Sequence, residues 1–492
     1  KILFAITSHI FNEISRGLHH EGIKYVGYNS GKKRIEHDLL GERQVPYESL
    51  YGIQTLRGQE NFYLSGVSLN HFPLFIKALT QVKKAAAQAN HTLGLLENEK
   101  AYPIIQACDE IISGHWHNQF ILDMIQGGAG TSTNMNVNEV IANRALEIAG
   151  KNKGEYEYIH PNNHVNLSQS TNDVYPTAIR LAILQFIPSL LDSLKELCEI
   201  LSEKSKEFSK IIKMGRTQLQ DAVPMTLGQE FGAFAEMLRE DIPLLHETSD
   251  LFYPVNLGGT AIGTKINAHP KYPQLVIEKL RDISQMPICS SPNLIEATPN
   301  TSVFVLFSSL LKSLAIKLNK ISNDLRLLSS GPRCGFNDIT LPAVQPGSSI
   351  MPGKINPVIP EVVNQVAFQV IGNDLAISMA AQAGQLQLNA FEPLIVFNLF
   401  QNIQMLNRAM KTLGRLCIAG IKANSAQCRS HVENSIGLVT ALSPLIGYEH
   451  CSRIAKEALE TGESIFNLVL KHNLMSREAL EEILKPENMV GF

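Results

Sequence analysis

The sequence predicts a mainly α protein built around a central bundle of long helices. Three observations predict it. From Glu155 to Met214 there is no glycine, and within that stretch Leu190, Leu194, Leu197 and Leu201 recur at helical steps on one face. Ser302 to Ser330 has neither Gly nor Pro. There Leu311, Leu314, Leu318, Ile321, Leu325 and Leu328 form a heptad-like seam. A third long helix is expected from Pro360 to about Ala383, because Pro357 and Pro360 suit a helix start.

In chain order, residues 1–33 read as an extension outside the folded core. The apolar run ILFAI (2–6) is interrupted by Ser8 and His9, and GYNSGKK (27–33) is polar. Residues 34–171 are expected to form an N-terminal helical domain, in which FYLSGVSL (62–69) is the best strand candidate by its alternation. Residues 172–426 hold the long helices, and 427–492 a small C-terminal helical domain. Three domains agree with 492 residues at roughly 150 per domain.

Composition narrows the function. The chain is 44% hydrophobic and 18% charged, enough to bury a large core. A net charge of -3 gives no broad basic surface for nucleic acid. No run of about 18 apolar residues is present, so no membrane partner is expected. Seven cysteines are scattered, without a C-x-x-C pair, which reads as reduced, mostly buried thiols of a cytoplasmic protein.

Four polar, glycine-bearing segments break the helical pattern: GGAGTSTNMN (127–136), HVNLSQSTND (164–173), KMGRTQLQDA (213–222) and PGSSIMPGKINP (346–357). Loops on a rigid scaffold are where chemistry usually sits. None offers a metal-ligand cluster or a G-x-S-x-G elbow. The fourth fails as a phosphate loop, because five residues separate Gly347 from Gly353 and Ile355 follows Lys354. Their hydroxyls and amides suit a small anion, with Arg216 or Lys354 to meet a carboxylate. Gly347 and Gly353 give the fourth loop freedom to open and close. His164, beside the second segment, reads as structural.

At GSSIMPGKINP the chain resembles the fumarase/aspartase superfamily, and the other three segments look like its remaining active-site segments. The resemblance runs from about Arg34 along nearly the whole chain. It is closest to the aspartase branch at HDLLGERQVP (37–46), YGIQTLRGQENF (51–62), MGRTQLQDAVPMTLGQEF (214–231), NDLRLLSSGPR (323–333) and NPVIPEVVNQVAFQVIGND (356–374). The fold this implies is a homotetramer of three-domain, mostly helical subunits. Their long helices share one bundle, and each active site draws on loops of three subunits.

The implied reaction is reversible anti elimination of ammonia, as ammonium, from L-aspartate to give fumarate. It requires no organic cofactor, and activation by a divalent cation is left open. The resemblance makes Ser348 the base, helped by Lys354. It assigns Thr131, Ser170, Thr171 and the backbone near Ser349 to the β-carboxylate, where charge develops. Thr217, Lys354 and Asn356 are assigned to the α-carboxylate, and Asn172 to the amino group. Asn134 is expected as a further contact, and Met351 to pack over the closed site. Gln218 stands where fumarases normally carry His; it cannot relay a proton, which disfavours a hydratase. A catalytically silent structural member would be expected to lack these residues.

Overall fold

The computed structural model describes residues 30–483 and 488. The chain divides into two compact units. The first runs to Asp123 and includes Thr131–Leu167; the second takes Met124–Gly130 and everything from Ser168. Most of the expected N-terminal extension lies outside the described residues.

In the first unit β1 (Lys33–Asp38) and β2 (Gly41–Pro46) form an antiparallel hairpin. Four helices follow: α1 (Ile53–Asn61), α2 (Pro73–Thr92), α3 (Asn98–Ile112) and α4 (Thr131–Ile148). α2 packs on α3 and α3 on α4. The alanines 85, 86, 87 and 89 of α2 are buried, and such small side chains let helices approach closely. The expected strand at 62–69 is not one. Instead of joining a ladder, the N–H groups of Leu64, Ser65 and Gly66 all donate to the Asp123 carboxylate, at 2.8–3.0 Å. One buried acceptor outcompetes pairing because it satisfies three donors at once. Only Ser68 makes a bridge, to Asp123.

The second unit holds the long helices. α5 (Thr171–Glu207) has 37 residues, and its Leu190, Leu194, Leu197 and Leu201 are buried as the periodicity predicts. Then come the hairpin β3 (Ile212–Thr217) and β4 (Gln220–Thr226), followed by α6 (Leu227–Arg239) and α7 (Asp241–Ser249). β5 (Pro254–Val255) pairs with β6 (Cys289–Ser290) across α8 (Tyr272–Ser284). The short α9 (Leu294–Ala297) leads into α10 (Ser302–Leu328). All six members of the α10 seam are buried. β7 (Ile339–Thr340) precedes α11 (Val358–Gln382), within two residues of the expected bounds, and α12 (Glu392–Leu416). α10 packs on α11, α11 on α12, and α12 on α5.

By length and composition α5 and α10 could each cross a membrane, a feature the sequence reading did not anticipate; most of the apolar window of α5 is buried in the protein's own core. After β8 (Lys422–Ala423), which pairs with β7, five short helices follow: α13 (Ser425–Glu433), α14 (Val439–Ile446), α15 (Tyr448–Thr461), α16 (Ile465–Lys471) and α17 (Arg477–Ile483). Their core is not theirs alone. Ile212 and Met214 of β3 are buried in it beside Val432, Leu442, Ile454 and Leu468. The segment expected as a separate C-terminal domain therefore shares its core with the hairpin. Five cysteines are buried, Cys289 and Cys334 are exposed, and all seven are free.

Candidate active site

The first glycine-bearing segment ends sooner than its composition suggests. Gly128, Ala129 and Gly130 all take positive φ (88, 55 and 88°), and Thr131 begins α4. A Cβ on Gly130 would lie 2.5 Å from the Tyr175 ring, so no other residue fits there. Thr131 is exposed at the positive end of the helix, where N–H groups and the peptide dipoles favour an anion. Asn134, one turn on, is 1% exposed. Its amide donates to Asn166 at 3.2 Å, so it stands behind Thr131 rather than on the surface.

The second segment ends in the same way. His164 Nδ1 accepts the His160 N–H at 2.8 Å within the turn Pro161–Val165, a structural role. Ser170 caps α5. Its hydroxyl accepts the Asn172 N–H, and Asp173 accepts the Ser170 N–H at 2.9 Å, a reciprocal box readable in Ser-x-x-Asp. Thr171 and Asn172 thus occupy the first turn of a 37-residue helix. The Asn172 amide nitrogen donates to the Ala261 carbonyl at 2.8 Å. That contact fixes the amide and leaves its oxygen as an acceptor for an ammonium group.

A further segment, missed in the sequence, builds this end. The Asp173 carboxylate accepts the N–H groups of Gly258 and Thr260, and Asn256 donates to the Asn172 carbonyl at 2.9 Å. GGTAIGT (258–264) has the glycines and hydroxyls of the other four segments, which was the available signal.

The third segment is a hairpin rather than a loop. Gln218 and Leu219 both take positive φ (54 and 64°), as a two-residue turn with the right twist requires, without the Asn-Gly that would have announced it. Thr217 and Gln218 are exposed at its tip. Arg216 is not available to a substrate carboxylate. It is 2.7 Å from Asp338, and its guanidinium lies over the Phe336 ring at 4.1 Å. Asp338 also meets His431 at 3.0 Å, so the hairpin is held by a buried carboxylate instead of carrying the free cation that its sequence suggested.

The fourth segment is a loop with a closed neck. Gly347 N–H donates to the Lys354 carbonyl at 2.8 Å, and the Asn356 amide donates to the Gly347 carbonyl at 2.5 Å. A Cβ on Gly347 would sit 2.6 Å from the Lys354 carbonyl, so the neck needs glycine. Asn356 thus spends one N–H on the neck and keeps another. Inside the loop, Ser348 Oγ accepts the N–H groups of Ile350 at 3.2 Å and Met351 at 3.0 Å. Two donors aimed at one hydroxyl oxygen favour its deprotonated form. Ser349 and Lys354 are exposed, and Lys354 makes no ion pair among the described residues. Met351 is 47% exposed. Within the second unit, no hydrogen bond or ion pair among the described residues joins this loop to the hairpin tip or to the start of α5.

The chain resembles known proteins along most of its length. Residues 41–372 match the family described as Lyase, and 438–491 that described as Fumarase C C-terminus. Aspartate ammonia-lyases of Pseudomonas canavaninivorans and Helicobacter pylori are 59% and 55% identical, each over 93% of this chain and 97% or 98% of their own. A structure titled fumarate lyase:delta crystallin from Brucella melitensis, bound to cobalt, superposes with a TM-score of 0.90. It is 55% identical and covers 93% of this chain and 99% of its own. A class II fumarase from Schistosoma mansoni gives 0.88 at 35% identity, covering 93% of this chain and 99% of its own. The fold and these segments define a member of the lyase family. Within it, the chain belongs to the aspartate ammonia-lyase family.

Proposed function

We propose that the protein eliminates ammonia from L-aspartate, reversibly, to give fumarate. The observation that carries this reading is the state of Ser348. Its oxygen receives two backbone N–H groups, on a loop that also presents an uncompensated Lys354. A free serine is a very weak base, and donors of this kind favour its alkoxide. Ser348 removes a proton from the carbon beside the β-carboxylate. The C–H electron pair moves into that carboxylate, giving an enediolate; its collapse breaks the neighbouring C–N bond and releases ammonia, and the proton held by Ser348 then passes through solvent to the ammonia, which departs as ammonium and restores the base. Ser170 and Thr171 are assigned the charge that develops on the β-carboxylate, with Thr131 at the corresponding end of α4. Thr217, Lys354 and Asn356 are assigned the α-carboxylate, and the oxygen of Asn172 the ammonium group. No organic cofactor enters these steps.

The reading includes a homotetramer whose active sites draw on several subunits. Phe368, Leu375 and Met379 support it: they form an exposed apolar stripe on one face of α11, at 57–64% exposure, suited to a second copy of the chain. Cytoplasmic location suits the free thiols and this reaction. The test is fumarate absorbance from L-aspartate beside L-malate. Malate turned over faster than aspartate would make the protein a hydratase and would overturn the significance given to Gln218.

A further inference from the structure

Lys83, in the middle of α2, is 0% exposed, although a buried ammonium is costly to desolvate. Its Nζ donates to the side-chain oxygen of Asn166 at 2.8 Å. The same oxygen receives the amide nitrogens of Asn134 and Asn138, each at 3.2 Å. These two asparagines are four residues apart on α4 and share one face. Their own amide oxygens are buried and have no hydrogen-bond partner among the described residues. Two orphaned acceptors side by side are expensive, and their orientation needs a cause.

The cause is at hand in Lys83. An ammonium only donates, so Asn166 must turn its oxygen toward it. Asn134 and Asn138 must then turn their nitrogens toward that oxygen, which leaves their oxygens unpaired. We propose that Lys83 is a positioning residue for the carboxylate-binding turn at the start of α4. Its buried charge fixes the polarity of the Asn166–Asn134–Asn138 cluster and acts through Asn166 on Asn134, which lies one helical turn from Thr131. This inference rests on the reading of that turn as a carboxylate site. The benefit is largest when negative charge grows on the substrate carboxylate, so Lys83 serves the transition state more than the ground state.

The signature is loss of rate without loss of stability. In Lys83→Met the buried charge is gone, and with it the donor that holds the Asn166 oxygen in its present direction. The melting temperature should stay level or rise. The kcat for L-aspartate should fall about tenfold, less than the hundredfold or more that follows loss of a direct oxyanion donor, with KM changed under about threefold because the ground state gains little from Lys83. Succinate, a non-reacting dicarboxylate, should bind only slightly more weakly. Lys83→Gln should behave in the same way and carries the test if the Met variant does not fold. A folded neutral variant that keeps kcat within about threefold, or that loses activity only in step with melting, overturns the inference. Wild-type protein that does not turn over L-aspartate sinks the aspartase reading instead, and the melting behaviour then still tests the origin of the orphaned oxygens.

Discussion

Replacing Ser348 by alanine separates chemistry from folding. The side chain is partly exposed and its hydroxyl accepts two N–H groups within its own loop. Those donors can turn to water when the hydroxyl is removed, so stability should change by no more than about 0.5 kcal/mol. The neck bonds from Gly347 to Lys354 and Asn356 do not involve the side chain and should persist. Loss of a general base costs roughly 100- to 10,000-fold in rate. At 1.36 kcal/mol per factor of ten, that is about 3–5 kcal/mol of barrier. The fall should lie in kcat, because the base acts only in the chemical step. The assay is steady-state fumarate production, beside thermal melts and size-exclusion profiles of the same preparation. Retention of more than about a tenth of wild-type kcat, below the usual general-base effect, would assign the base to another residue.

Lys354→Met should leave the melt unchanged, since Lys354 is exposed and makes no ion pair among the described residues, and should raise KM for L-aspartate roughly 10- to 100-fold, the loss of a charge-assisted hydrogen bond. An unchanged KM would remove Lys354 from the α-carboxylate. Thr171→Ala and Lys354→Ala stand on separate elements, so co-refolded hybrids of the two should regain measurable activity if sites are shared between subunits; none in verified mixed tetramers would count against sharing. Burial pushes the Glu392 carboxyl from an ordinary 4.5 up to about 8, against the opposing pull of Arg180. Between those values the folded state holds a proton that the unfolded chain releases, so this group's contribution to stability falls as pH rises. Glu392→Gln stays neutral, so melts across that range should shift progressively in favour of the variant as pH rises; a gap independent of pH would show that Glu392 does not titrate there.

The sequence by itself determined the long helices. Leu311 to Leu328 and Leu190 to Leu201 repeat at the helical period over several turns, and burial of such a stripe needs no distant partner to be specified. It also marked the segments that carry Thr131, Ser170, Thr217 and Ser348, because glycines and hydroxyls interrupt an otherwise helical pattern. Tertiary structure decided what those segments are. Asp123 gathers three N–H groups and turns the alternation at 62–69 into a bend. Asp338, more than a hundred residues from Arg216, takes that cation away from any substrate. Lys83 and Asn166 meet across 83 residues and set the polarity behind Asn134. Periodicity is written in neighbours along the chain. The partner of a buried polar group is chosen by desolvation, which depends on whatever the fold brings within hydrogen-bond reach.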